Sequence, residues 1–188
     1  VEPVELRTDR LTLSVPTEDD VDAIFAACQD AAIQRYTTVP APYERTDAEG
    51  FIEFARTRWA EGVEATWAIR EAGRLAGMIG LHGISPGGSG ELGYWMAAHA
   101  RGRGLLTEAA REVVDWGFRA EGPALQRIEW RAVVGNTASA RVARALGFRY
   151  EGLLRRALPN SFGRDDGWIA GLLPSDDRMP QAWPLLEG

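Results

Sequence analysis

The chain contains no lysine. All 21 of its basic residues are arginine. That absence excludes a phosphate-binding loop built on Gly-Lys-Ser/Thr and a Schiff-base lysine. One cysteine, Cys28, leaves no partner for an internal disulfide. The two histidines, His82 and His99, have no cysteine or second histidine at metal-ligand spacing, so no metal site is expected. No apolar run approaches the ~20 residues of a membrane span. The segment VEPVELRTDRLTL lacks a basic stretch followed by an apolar one, so the expectation is a cytoplasmic protein without a signal peptide or membrane partner. A formal net charge of −6 weighs against nucleic acid as a partner.

What remains is an ordinary globular composition. The 188 residues, 45% hydrophobic and 26% charged, suit a single domain over 1–188 with a real core. Leu11, Leu13 and Val15 alternate with Thr12 and Ser14 and predict a strand. Thr17, followed by Glu-Asp-Asp, predicts a helix start. Val21, Ile24, Phe25 and Cys28 then fall at helical spacing, which turns Cys28 toward the core. A turn-rich stretch over 37–46 leads to a second helix over 47–60. Three strands follow. ATWAIRE and RLAGMIGL flank Ala72-Gly73, a hairpin signal, and ELGYWMAA comes after a Gly-Gly-Ser-Gly loop. A helix begins near residue 105, with Leu106, Ala109, Ala110, Val113 and Gly117 on one stripe. The strand RIEWRAVV comes next, then a short helix opened by Asn136 and closed by Gly147. Two more strands are expected beyond it, and the tail DRMPQAWPLLEG shows no periodicity. The pattern is a mixed α/β sheet with an antiparallel first half. The strand–helix–strand crossover makes residues 91–98 and 128–134 a parallel pair.

Between the third of those strands and its helix lies HARGRGLLTEAAR, residues 99–111. Two glycines and three arginines stand at the mouth of a helix. The first N–H groups of a helix lack intrahelical partners, and the helix dipole is positive there. Gly102 and Gly104 permit close backbone approach and unusual torsions. Arg101 and Arg103 add charge, and Thr107 adds a hydroxyl. Such a loop suits a phosphate or pyrophosphate. A dinucleotide fingerprint would place a third glycine where Thr107 stands.

RTDRLTLSVPTEDDVDAIF, GELGYWMAAHARGRGLLTEAAREVVDWGF, VVGNTASARVARALGF and EGLLRR occur in this order. As a set they resemble the GNAT superfamily of acetyl-CoA-dependent N-acetyltransferases, in its ribosomal-protein RimJ/RimL-type branch. The resemblance covers about residues 5–173. It implies the GNAT fold, in which the paired strands splay and the pantetheine arm of acetyl-CoA lies in the gap. It also implies a pyrophosphate cradle over Arg101, Gly102, Arg103, Gly104, Leu105, Leu106 and Thr107. Leu106 departs from the small residue usual at its place. Met96 and Ala98 would offer backbone contacts to the arm. Asn136 matches an asparagine that hydrogen-bonds the arm, and it can cap the following helix as well. A homodimer is implied by relatives only.

The resemblance implies direct attack of a primary amine on the thioester in a ternary complex. The amine must be neutral to attack, and a free α-amino group (pKa ~8) needs less help than a lysine-like amine (~10.4). Glu91, at the start of the splayed strand, is the candidate base. Ala143 stands where many relatives carry an acidic tyrosine, and Ser139 is the candidate substitute that protonates the leaving thiolate. A backbone N–H near Met96 would polarise the carbonyl. The acceptor could be a protein N-terminus, a polyamine, an aminoglycoside or an amino-acid metabolite. A non-catalytic acyl-CoA sensor is the alternative from a different class.

Overall fold

A computed structural model describes residues 2–186. Its elements run β1 (Leu6–Arg7), β2 (Leu11–Ser14), α1 (Val21–Ala27), α2 (Ala31–Tyr36), α3 (Arg45–Glu61), β3 (Ala65–Glu71), β4 (Arg74–His82), β5 (Ser89–Met96), α4 (Leu105–Phe118), β6 (Arg127–Val133), α5 (Thr137–Ala145), β7 (Arg149–Asn160) and β8 (Gly163–Leu172). The eight strands form one sheet in the order β1-β2-β3-β4-β5-β6-β8-β7. β5 and β6 are parallel, and the other neighbours are antiparallel. The mixed sheet and its parallel crossover are as the pattern predicts.

Strand alternation divides the core into two layers. Ala68 and Met78 pair across β3 and β4. They pack with Val21, Ile24, Ile33 and Ile52 from α1–α3. Trp67, Ile79, Leu81, Leu92, Ile128 and Trp130 point the other way and join Leu105, Ala109, Ala110, Val113 and Ala140 from α4 and α5. Cys28 is buried in the first layer, as its spacing predicts. Trp59, Trp67 and Trp116 form a cluster with centroids 5.0–5.8 Å apart, in which Trp67 meets the other two edge-on. Such ring pairs contribute about 0.5–1.5 kcal/mol each beyond their buried area.

Thr17 does open the first helical segment, through a capping box with Asp20. That segment begins as a 3-10 turn before α1. The hairpin at Ala72-Gly73 carries positive φ at both central residues, +48° and +80°, as a tight primed turn requires. Gly147 closes α5 at φ +88°.

Several boundaries move. The strand expected over 91–98 is Ser89–Met96, and Ala98 opens a one-turn 3-10 helix instead. On α4 the buried stripe begins at Leu105, with Leu106 only partly covered. Two elements were not foreseen. β1 has two residues and α2 has six, both too short for a periodic pattern to emerge. α2 is held at its start by Asp30, whose side chain accepts N–H bonds from Ala32 and Ile33. The aperiodic tail also carries a core residue. Trp183 is fully buried, stacks near Trp130 and Tyr150, and donates its indole N–H to the Phe148 carbonyl.

Candidate functional site

The site begins where the parallel pair separates. β5 and β6 pair through Ser89↔Arg127, Gly90↔Ile128, Glu91↔Glu129 and Leu92↔Trp130, and no further. β5 continues for four residues against β4 alone, through Gly80↔Gly93 to Gly77↔Met96. The Ala97 N–H bonds to the Ala76 carbonyl on that side. Backbone direction alternates along an antiparallel pair. Gly93 and Trp95 therefore face β4, while the peptide groups of Tyr94 and Met96 face the slot left by β6. The expected splay is present, and its edge offers a short run of unladdered backbone.

A cleft of about 640 Å³ runs along this slot. Residues from both faces of the sheet line it. Glu64, Thr66, His82 and Glu91 stand on the α1–α3 side. Tyr94, Asn136 and Ser139 stand toward α5. The slot therefore opens the sheet from one face to the other.

Glu91 keeps 39% of its side-chain surface accessible through the cleft mouth, and its nearest charge is the Arg131 guanidinium at 3.7 Å. Crowding by protein raises its carboxyl pKa. Arg131 and His82 oppose that shift, and Glu129 adds to it. A carboxylate made more basic by burial is what a proton acceptor in an amine site needs.

Ser139 sits three residues into α5 from Asn136. Its N–H is bonded to the Asn136 side-chain oxygen at 3.2 Å, so Asn136 caps the helix. The Asn136 amide nitrogen bonds nothing among the described residues and remains available in the cleft. The Ser139 hydroxyl accepts the Trp130 indole N–H at 3.0 Å and donates to the Tyr94 hydroxyl at 3.1 Å. Tyr94 in turn donates to the Ser139 carbonyl. Burial pushes the Tyr94 phenol up to about 12, so it keeps its proton. In the sequence nothing marks Tyr94 and Trp130 as more than aromatic residues on strands. Alternation places Tyr94 opposite Glu91's face, and its hydroxyl reaches the slot only because the strands part.

The glycine loop follows Met96. Gly102 has φ +74° and Gly104 φ +75°, both left-handed. Gly104 is the N-cap of α4, and its carbonyl accepts the Glu108 N–H. The N–H groups of Leu105, Leu106 and Thr107 in the first turn have no earlier helical carbonyl to bond. The loop's arginine side chains are paired with other parts of the protein. Arg103 makes a two-pronged ion pair with Glu71 at 2.6 Å. Arg101 donates to the Met96 carbonyl and to Asp30. Arg10 bonds the Arg103 carbonyl and Glu108, tying the loop to the β1–β2 turn. The loop's attraction for an anion thus comes first from backbone and dipole. Its guanidiniums hold the loop in shape. His99 is exposed beside this loop.

Among the described residues, no group of three or more His, Cys, Asp or Glu could hold a metal ion. None of their helices is long and apolar enough to cross a membrane.

Comparison with known proteins agrees with this geometry. Residues 10–149 match the family model described as an acetyltransferase (GNAT) domain. The uncharacterized N-acetyltransferase YoaA of Bacillus subtilis is 32% identical over 154 residues, covering 80% of this chain and 86% of that protein. The structure of Mycobacterium smegmatis RimJ in complex with CoA-disulfide aligns with a TM-score of 0.79 at 25% identity, over 92% of this chain and 85% of that one. RimL, the ribosomal L7/L12 alpha-N-protein acetyltransferase solved with coenzyme A, shares the fold with a TM-score of 0.82 at 19% identity, over 90% and 98% of the two chains. The parted strands, the glycine loop at the helix mouth and the family match over most of the chain lead to one conclusion: this protein belongs to the GNAT acetyltransferase family.

Proposed function

We propose that the chain moves an acetyl group from acetyl-CoA to a primary amine, by direct attack in a ternary complex. The observation that carries this reading is the slot itself. It has the Glu91 carboxylate on one face of the sheet and hydrogen-bonded hydroxyls toward the other, and β5 leads from it into the glycine loop that opens α4. Relatives named as ribosomal N-acetyltransferases favour a protein N-terminus as acceptor, and a small-molecule amine is the second acceptor class.

In this reading the peptide groups of Tyr94 and Met96 pair with the pantetheine arm like a further strand. Ala98 lies at the turn just beyond and leads the arm to the loop. The N–H groups from Gly102 to Thr107 cradle the pyrophosphate. Arg101 and Arg103 stand at its rim, where they can exchange a carboxylate for a phosphate. The free Asn136 amide donates to the arm. A backbone N–H near Met96 polarises the thioester carbonyl. Glu91 takes a proton from the incoming ammonium. Ser139 gives one to the departing sulfur, its hydroxyl turning there from Tyr94.

The test is an acetyl-transfer screen with the full-length protein. Peptides with free α-amino groups, polyamines and aminoglycosides are each supplied with acetyl-CoA. Thiol release and product mass are read together. Acetylation of at least one amine class is expected, whereas CoA release without an acetylated amine in any class overturns the reading.

A further inference from the structure

The reaction proposed above strips two protons from one nitrogen. An ammonium R–NH3+ and a thioester become an N-alkyl amide, a thiol and one proton. The first proton leaves before attack. The second leaves the same nitrogen as the N–C bond forms and the C–S bond breaks. One proton ends on sulfur and one goes to solvent. Glu91 accounts for one acceptor on the nitrogen side, and the structure places a second basic group beside it.

His82 ends β4 and is the direct cross-strand partner of Glu91. Directly opposed residues project to the same face, so the two side chains share the α1–α3 wall of the cleft. The ring does not stand upright. It lies along the sheet over two glycines, Gly80 and Gly93. A Cβ at Gly93 would come within 2.8 Å of His82 Nε2, and one at Gly80 within 3.3 Å of Cε1. Gly93 is the first β5 residue beyond the last β5–β6 pair, Leu92↔Trp130. The Nε2 edge therefore lies over the point where the strands part, two residues farther along β5 than Glu91.

The other ring nitrogen is held. Nδ1 lies 3.4 Å from Glu64 Oε2. Glu64 keeps only 15% of its side-chain surface accessible and has Arg58 at 3.6 Å on its other oxygen. The His82 contact, followed by Arg58, holds the Glu64 carboxyl below the usual range despite burial. A carboxylate at Nδ1 selects the tautomer with the proton there and leaves Nε2 bare. Nε2 bonds nothing among the described residues.

We propose that His82, oriented by Glu64, accepts the second proton from the acceptor nitrogen as the amide bond forms, after Glu91 has taken the first. His82 is then a catalytic residue and Glu64 a positioning residue. The charged groups facing the ring are Glu64 and Arg58 from the α3 end, Glu91 from β5 and Arg131 from β6. Tyr43 and Asp47 also line the cleft. This inference rests on acetyl transfer to an amine.

The experiment uses whichever amine the wild type acetylates in the screen. His82→Ala leaves a space between two glycines that free imidazole can enter. Its kcat/KM is expected to fall about 10²-fold, the lower end for a positioned proton acceptor. High pH should not restore it, because the second proton leaves only as the bond forms. Added imidazole should restore it in proportion to concentration, and acetyl-CoA affinity measured calorimetrically should not change. Glu64→Gln, which can still accept the Nδ1 proton, should lose less. Imidazole should do nothing for Glu64→Gln, because His82 still fills the ring site. His82→Ala within about 3-fold of wild type at all pH values, or a folded His82→Ala whose loss imidazole does not reverse, overturns the role of His82 while leaving amine acetylation standing. A wild type that acetylates no amine overturns both.

Discussion

Gly104→Val is expected to fold and to lose CoA binding, with Kd at least about 100-fold weaker, or ~2.7 kcal/mol. Gly104 caps α4 at φ +75° and ψ 2°. A Cβ there meets nothing closer than Arg10 at 3.8 Å. The cost of valine is therefore torsional, since a β-branched residue in the left-handed region is a true outlier. Each L-residue placed there costs roughly 1–2 kcal/mol. The loop escapes that cost by turning the Gly104 peptide, and the N–H groups at the helix mouth turn with it. The core layers under α4 do not depend on this torsion, so the melting temperature should drop by only a few degrees. Calorimetry with CoA and circular dichroism on the same sample separate the two effects. A folded Gly104→Val protein with wild-type affinity would reduce the loop to a surface turn.

Glu91→Gln should lower kcat/KM by about 10²–10³-fold near neutral pH, within the range of a lost general base. The loss should shrink as pH rises, because more of the amine is then already neutral. Crowding raises the Glu91 pKa, so the wild-type acid limb should lie above the ordinary carboxylate range. The stability consequence has the opposite sign to the catalytic one. A carboxyl whose folded-state pKa is raised favours folding when protonated, and that advantage fades as pH climbs through the folded pKa. Near neutral pH the ionised Glu91 therefore opposes folding, and Glu91→Gln should melt no lower than wild type. A pH-independent loss of activity together with a lower melting temperature would make Glu91 a structural residue.

Much of the fold was legible because long elements carry their own periodicity. α3, α4 and β3–β6 fall where spacing and turn residues put them, and Asn136 caps α5. α2, β1 and the burial of Trp183 were not legible. The two elements are shorter than a repeat, and Trp183 packs against Tyr150 and Trp130 and bonds to Phe148, all distant in sequence. In the site, Glu91, Ser139 and the glycine loop stand out because each sits at an element boundary with a distinctive residue type. The loop arginines illustrate the limit. Their charge is visible in sequence, but their partners Glu71 and Asp30 lie 32 and 71 residues distant, so their bracing role is not. Glu64 is hidden for the same reason, since its meaning comes from contact with His82 across 18 residues.

Direct transfer requires both substrates in the cleft together, with no acetyl group parked on the protein. The composition and structure favour this. There is no lysine, and Cys28 lies in the core with its thiol pushed up to about 12 by burial. Ser139 Oγ is engaged by Trp130 and Tyr94. Initial velocities measured while acetyl-CoA and the accepted amine are both varied test this most directly. Lines that intersect in a double-reciprocal plot are expected, together with an unchanged protein mass after incubation with acetyl-CoA alone. Parallel lines, with an acetyl group found covalently on the protein, would contradict direct attack in the slot.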